Sequence, residues 1–559
     1  MPESPDRPSH FRILFKVFWL RVVDLEILSP DNDAHTLLGN LAALLAGASV
    51  LFSLPLMFIG GPMPQPSLWT FEHLFFATTL TVVGVLAVLS WDSALPDRRD
   101  LLVLGSLPIR IRTILAAKIS ALTGVLGFSG VALNFLTGLV WPPLFRAAGS
   151  GIFGAVRSVI AYWITITAIG LFIFCIVLCL QGSASLILPR QVFLRLSSPL
   201  QIAIFTVLLG GYFLEPPLEN IAALVEPGNQ GVLACLPAYW FLGLFQQLNG
   251  TMLPAFAPLA ERARLALAIV FLSAATTLLL SWLTKSKSIV EQPDLIPSHR
   301  QNESSFSPGA PVSRALLQFS VRSLLRSRQH RLFYSFYLSI GMAITVLSAG
   351  NFTALTDIHM HTGIPSQSAF TASVMILCFA VLGLRIIIAV PVFLRANWIF
   401  QLTQIHPSSI YVGAARHTVL LLAVVPVWIT VAILMLSYWP SWQTVVHLLA
   451  LGLVGAAINE IAMLNLHKLP FACSYLPGKG KLHFLFWGGI LVGFPLISGA
   501  SALEYRLLAT SFGSAKVLVL ASSLAILLRR YNSRSRQDAA TIIFQEEETS
   551  DLLALRLNS

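Results

Sequence analysis

The chain has 559 residues, of which 56% are hydrophobic and 11% charged, and its formal net charge is +11 at pH 7. Ordinary soluble domains carry about 25% charged residues, so this composition excludes a water-soluble globular protein. The basic residues are spread over alternate loops instead of forming one cluster, which argues against a nucleic-acid partner.

The first predicted element is an amphipathic surface helix over Phe11–Leu28, where apolar and charged residues alternate. This charge pattern is unlike a cleavable signal peptide. Beyond it, apolar blocks follow that are each about 18 to 28 residues long, which is enough for a helix to cross a bilayer. They predict an all-α polytopic membrane protein with twelve spans, near residues 37–59, 71–90, 113–141, 155–181, 198–214, 265–284, 332–350, 368–394, 416–438, 444–466, 482–500 and 513–530.

The orientation of these spans follows from the placement of lysine and arginine. Both are concentrated in the N-terminal segment, the even-numbered loops and the C-terminal segment. The loops 61–70 and 351–366, after the first and seventh spans, contain neither residue. Because basic loops stay in the cytoplasm, the distribution predicts cytoplasmic termini in a cell inner membrane.

The longest outward loop, 215–264, contains the sequence Leu236–Phe241, which is rich in aromatic residues. Aromatic side chains favour the membrane interface. We therefore expect this loop to form short helices that turn back toward the bilayer.

A polar stretch between the sixth and seventh spans is rich in Ser, Pro, Gln and charge, which is typical of a cytoplasmic linker. It divides the chain into two similar halves. The predicted parts are a first six-span unit at 1–284, the linker at 285–311, a second six-span unit at 312–536 and a polar cytoplasmic tail at 537–559.

The two halves show an internal repeat. A basic amphipathic stretch, Arg314–Arg331, precedes the seventh span as Phe11–Leu28 precedes the first. A second similarity follows the second span of each half, with the register shifted by one residue. The matching residues are Leu107, Pro108, Ala116, Ala117 and Lys118 in the first half and His406, Pro407, Ala414, Ala415 and Arg416 in the second.

The segment 91–118, after the second span, is the most informative for function. Its order is a charged tip, an apolar turn, a Leu-Pro break and two arginines before the next span. A short surface helix with mixed charge is suited to docking on a soluble partner, and a plain basic topology anchor is the alternative. The residues concerned are Asp97, Arg98, Arg99, Asp100, Leu107, Pro108, Arg110, Arg112 and Lys118.

The chain has two six-span units, each preceded by a surface helix. In the first unit this segment follows the second span, and a long outward loop lies between the fifth and sixth spans. This layout resembles the permease subunits of type-2 ATP-binding cassette (ABC) exporters. At the level of residues, the resemblance lies in Leu107-Pro108 and the basic stretch that ends at Lys118. It implies that the segment couples to a separate ABC-type ATPase, with Asp97–Asp100 as the contact tip. It also implies that Arg110, Arg112 and Lys118 hold the segment to anionic membrane lipids.

The resemblance further implies that one chain forms the whole transport pathway between its two units, and it leaves room for an additional permease or accessory subunit. The second half departs from the pattern, so coupling on that side is expected to be weaker. The candidate counterparts there are Arg395, Trp398, His406, Pro407 and Arg416.

The chain contains no phosphate-binding loop of the GxxxxGK[ST] type. Lys479 lacks both the upstream glycine at the required spacing and a following Ser or Thr. ATP is therefore expected on a partner subunit, with no cofactor bound by this chain.

Few charged residues lie inside the predicted spans. Arg385 and Glu460 are the clearest, and they are candidates for an intramembrane pair. His359 and His361 lie in an outward loop without enough further ligands, so no metal site is predicted. No Ser–His–Asp, Cys–His or paired-carboxylate grouping is recognisable, which favours a transport subunit over an enzyme.

The leading hypothesis is the permease of an ATP-driven exporter that moves an amphiphilic substrate. The first alternative is a secondary active transporter of two-times-six topology, against which the scarcity of acidic residues near mid-membrane argues. The second is a membrane-embedded transferase that acts on lipid-linked substrates.

Overall fold

The structure, a computed structural model, is all-helical over the part of the chain that it describes, with no strand. The described residues are 10–23, 34–54, 65–91, 100, 103–104, 107–146, 149–216, 218, 220–291, 311–348, 365–388, 402, 409–464, 471, 481–510 and 512–535.

The chain divides into two compact units, Met1–Ser298 (unit 1) and His299–Ser559 (unit 2). The division falls inside the stretch predicted as a linker. Residues 285–291 of that stretch continue a helix, and 292–310 lie outside the described residues, as does the predicted tail.

Unit 1 begins with a surface helix and contains the two longest helices among the described residues. They are α1 (His10–Val23), α2 (Ala34–Ser53), α3 (Gln65–Leu89), α4 (Ile111–Leu133), α5 (Thr137–Val140), α6 (Gly151–Ile187), α7 (Arg190–Leu214), α8 (Ile221–Val225), α9 (Gln230–Cys235), α10 (Pro237–Asn249) and α11 (Ala257–Glu291).

Unit 2 likewise begins with an amphipathic helix. Its helices are α12 (Pro311–Arg326), α13 (Arg328–Ser348), α14 (Gln367–Ile388), α15 (Ser409–Val419), α16 (Val425–Tyr438), α17 (Trp442–Ala462), α18 (Lys481–Leu508) and α19 (Gly513–Ser535). One π-helical turn, Leu420–Val424, joins α15 to α16 just before Pro426, which lacks the N–H that a regular turn requires.

Helices long and apolar enough to cross a membrane are consistent with the predicted multi-pass membrane protein. Within the described residues there are seven, or eight if the bent pair α9 and α10 counts as one span. The seven are Leu68–Leu89, Arg112–Leu133, Gly151–Ile187, Pro254–Thr284, Gln367–Ile388, Tyr411–Tyr438 and Trp442–Ala462.

The other five predicted spans coincide with α2, α7, α13, α18 and α19, which are not among the seven. Within the described side chains of α2 and α7, the apolar stretches Ala42–Ser53 and Pro199–Phe213 are shorter than a membrane span. The twelve-span count therefore stays a prediction.

The core of unit 1 is built around α10, which belongs to the long loop after α7. It follows α9 at a bend of 98° and packs against α3, α6 and α11. Tyr239, Phe241 and Phe245 are fully buried there. Gly243 allows the close approach, because a Cβ at this position would lie 2.7 Å from the backbone nitrogen of Ala260 in α11.

The core of unit 2 is built around α14. This helix packs against α13, α17 and α18, and its residues Phe370, Leu377 and Leu384 are fully buried. Almost every turn of α14 contains buried residues. The helix is therefore apolar along most of its length, and this long apolar block is what predicted a membrane span.

Candidate functional site

A partly buried ionic centre forms where the predicted coupling segment meets two helices of unit 1. The carboxylate of Asp100 accepts from Nη1 of Arg21 on α1 at 2.6 Å, and its second oxygen lies 2.8 Å from Nζ of Lys118 on α4. One side chain thus connects α1, the segment 91–118 and α4, a candidate membrane span.

Apolar packing supports this centre. The α1 helix lies along α4, and the ammonium group of Lys118 is 5.5 Å from the centre of the Phe18 ring, which is a cation–π distance. The surrounding buried residues are Leu14, Phe18, Ile114, Ala117, Ala121, Leu278 and Trp282. Lys118 keeps only 5% of its side chain exposed, so it contacts Asp100 instead of lipid headgroups.

The electrostatics keep Asp100 ionised. Burial by itself would raise its pKa, but the charge and hydrogen bond of Lys118, together with those of Arg21, outweigh burial and lower the pKa below its ordinary value. Asp100 is therefore negatively charged throughout the physiological pH range.

The remaining residues of the predicted coupling segment divide into two groups. Leu107, Pro108, Arg110 and Arg112 are exposed, as a docking or lipid-contacting surface requires. The predicted tip residues 97–99 lie outside the described residues. The structure thus brings together Asp100 and Lys118 and leaves Arg110 and Arg112 exposed.

In unit 2, Arg416 takes part in a comparable ion pair with a different partner. Its Nε lies 2.8 Å from Oε1 of Glu460, and its Nη2 donates to Oε2 at 3.0 Å. The amide of Asn532 donates to the same carboxylate at 2.9 Å. The other predicted counterparts in this half, Arg395, Trp398, His406 and Pro407, lie outside the described residues.

The expected Arg385–Glu460 pair is replaced by two separate interactions. Glu460 pairs with Arg416, whereas Nε of Arg385 donates to the carbonyl oxygen of Ala462 at 2.7 Å. Ala462 ends α17, and a cation is favourable there because the last carbonyl groups of a helix are unpaired and carry partial negative charge.

A buried polar cluster at the opposite end of α3 was not predicted. Nε2 of Gln246 donates to the buried carboxyl group of Glu72, and Thr251 donates to Oε1 of Gln246 at 2.5 Å. The adjacent His73 lies 3.2 Å from Glu215. The pair Glu72-His73 within an apolar block is the signal that would have indicated this cluster.

A Ser–His–acid grouping, which could not be recognised from the sequence, is present among the described residues. Ser373, His447 and Glu504 come from three different helices of unit 2 and form one hydrogen-bonded chain. Separations of 74 and 57 residues leave no recognisable motif.

Metal binding is not indicated by the described residues, among which no three His, Cys, Asp or Glu side chains cluster. His359 and His361 lie outside them. The ion pairs of Asp100 join the segment 91–118 to α1 and α4. A scan against protein families and searches of curated proteins and of solved structures find no match for this chain.

Proposed function

We propose that this chain is the permease subunit of an ATP-driven exporter and that the segment 91–118 transmits the motion of a separate ABC-type ATPase to the membrane helices. The cargo would be amphiphilic, taken from or released into the lipid in which the helices lie. The chain would lie in the cell inner membrane, with both termini on its cytoplasmic side.

The observation that carries this proposal is the ionic centre at Asp100. A coupling segment has to be exposed where the ATPase docks and firmly attached where it moves a helix. Arg110 and Arg112 are exposed, whereas Asp100 is ion-paired to α1 and α4 simultaneously. A plain topology anchor needs basic residues but has no need of this doubly ion-paired carboxylate.

A two-times-six arrangement is supported by similar packing in the two units. The surface helices α1 and α12 pack on α4 and α15, and α3 and α14 pack on α6 and α17. The last helices, α11 and α19, pack on α6 and α17. Lys118 and Arg416, which each follow two alanines, both form ion pairs with a carboxylate.

Purification of the tagged full-length chain from its native membranes in mild detergent tests the proposal. We expect a nucleotide-binding protein with vanadate-sensitive ATPase activity to copurify. The double charge reversal Arg98→Glu/Arg99→Glu should reduce the bound ATPase about tenfold or more, because it replaces both positive charges of the proposed docking tip with negative ones.

The matched control is Arg529→Glu/Arg530→Glu, which reverses two exposed charges at the end of α19 and should leave the bound ATPase unchanged. Absence of any ATPase from the wild-type preparation would refute the proposal. Full retention by the Arg98/Arg99 variant would refute the assignment of the docking tip.

One observation favours secondary active transport as a second candidate. Glu72 is a buried carboxyl group inside the candidate span Leu68–Leu89, and such groups serve as proton carriers in transporters. Transport of a fluorescent amphiphile into inverted membrane vesicles distinguishes the two. An ATP-driven exporter needs ATP and tolerates a protonophore, whereas a proton-driven carrier shows the reverse and loses activity in Glu72→Gln.

A further inference from the structure

Three side chains at one end of unit 2 have the arrangement of a serine nucleophile with its base. Oγ of Ser373 lies 2.8 Å from Nε2 of His447. On the other side of the imidazole, Nδ1 lies 2.8 Å from Oε1 of Glu504. The two ring nitrogens thus contact a hydroxyl and a carboxylate, each at hydrogen-bond distance, which is the geometry by which such triads are recognised on unrelated folds.

Helix directions explain why these residues meet. Ser373 lies in the second turn of α14 and His447 in the second turn of α17, whereas Glu504 lies in the last turns of α18. Because α18 packs on α14 and Glu504 bonds to His447, the C-terminal end of α18 lies beside the N-terminal ends of α14 and α17. The three residues therefore lie at the end of unit 2 opposite to the Arg416–Glu460 pair.

The imidazole is held in one orientation. His447 is fully buried, and its ring stacks on Phe370 with centroids 4.1 Å apart and 14° between the planes. With Nδ1–H donated to Glu504, the Nε2 lone pair points at the serine hydroxyl. That hydroxyl also donates to the carbonyl oxygen of Phe370 at 2.7 Å, so its single proton has two alternative acceptors, this carbonyl and Nε2 of His447.

The surroundings indicate an amphiphilic substrate. Ser373 keeps only 5% of its surface exposed, so a folded protein cannot reach it and the substrate must be slender. The exposed edge of the site is formed by Tyr505, whose ring lies 6.4 Å from that of Phe370, and Glu504 beside it is partly exposed. Leu503 and Leu496 extend the apolar surface along α18.

We propose that Ser373, His447 and Glu504 form an acyl-transfer site that hydrolyses carboxylic esters of amphiphilic molecules. This activity is independent of the proposed export function.

In the first step, Ser373 Oγ attacks the ester carbonyl carbon while His447 Nε2 takes the hydroxyl proton. The alkoxy group leaves as an alcohol with that proton, and an acyl-serine forms. Water then attacks the acyl-serine and gives a proton to Nε2. The carboxylic acid is released, and the proton returns to Ser373.

A fluorescent alkyl fluorophosphonate, applied to membranes that contain the full-length chain, tests this proposal. This probe phosphonylates only activated serines. We expect the wild-type chain to be labelled, with the modified peptide containing Ser373 in mass spectra. Labelling should be lost in Ser373→Ala and slowed at least about 100-fold in His447→Gln, which removes the general base.

Ser368→Ala is the matched control. Ser368 is a more exposed serine at the start of the same helix, hydrogen-bonded to Ser366 at 2.8 Å, and its loss should leave labelling intact. Ser373→Cys has a side chain of similar size, so the protein should still fold. If this folded variant is not labelled, the loss of labelling is due to the loss of the hydroxyl group. An unlabelled wild-type chain beside a labelled reference hydrolase overturns the proposal, as does labelling that persists in Ser373→Ala.

Discussion

Replacing Arg416 with methionine is expected to lower the free energy of unfolding by about 3–5 kcal/mol, because it leaves the Glu460 carboxylate buried without its cation. The two residues form a two-pronged ion pair at 2.8 and 3.0 Å. The amide of Asn532 remains as a donor but carries no charge. SDS-induced unfolding in detergent micelles, followed by circular dichroism, measures the loss.

The double variant Arg416→Met/Glu460→Met distinguishes the cost of an unpaired buried charge from a general loss of packing. When both partners are replaced by apolar residues of similar size, the unfolding free energy should return to within about 1 kcal/mol of wild type. Asn532 still donates to the backbone carbonyl of residue 460 at 2.7 Å in this variant. Lys516→Met, at an exposed lysine, should change stability by less than about 0.5 kcal/mol. A double variant no more stable than Arg416→Met would contradict the assignment.

The second large effect is expected at Asp100. Replacing it with asparagine should cost about 3 kcal/mol, the lower end of the range for a broken buried pair, because Asp100 itself keeps 11% exposure. The double variant Asp100→Asn/Lys118→Met should recover most of this loss, since it also removes the buried ammonium group. Glu261→Gln, at an exposed carboxylate, serves as the control and should change little.

The contribution of Asp100 should also depend on pH in a defined direction. Its pKa is lowered in the folded protein because the attraction of Lys118 and Arg21 exceeds the effect of burial. Its stabilising effect is therefore fully present above the ordinary carboxyl pKa of about 3.9 and is lost as the pH falls through the lower folded-state pKa. The stability difference between wild type and Asp100→Asn should be constant between about pH 6 and pH 8. A difference that disappeared within that range would show that Asp100 is not held by these cations.

The long apolar helices could be predicted from the sequence because lipid requires continuous runs of apolar residues. Gln367–Ile388 and Trp442–Ala462 fall within a few residues of the predicted bounds. The buried helix α10 was harder to predict, because its aromatic residues suit either a membrane interface or a protein core. Its contacts with α3, α6 and α11 show that it belongs to the core of unit 1.

The side-chain partners could not be predicted, because hydropathy indicates which face of a helix is buried but not which helix covers it. Glu460 illustrates the difficulty: it pairs with Arg416, 44 residues away, and not with Arg385. The chain Ser373–His447–Glu504 depends on three helix ends meeting, which no local pattern indicates. Asp100 differs from these cases. The sequence predicted the segment that contains it, but not that Asp100 forms ion pairs with α1 and α4.

Site-specific photocrosslinking tests the central claim, namely that a separate ATP-binding subunit docks on the segment after the second span. A benzophenone amino acid replaces Arg98 in the full-length tagged chain, and native membranes are illuminated. We predict a crosslinked product that contains a second protein and is labelled by azido-ATP. The same probe at Phe153, an exposed residue at the other end of unit 1 with 91% exposure, should give no such product. No protein adduct at position 98, or equal yields at both positions, would contradict the proposed coupling.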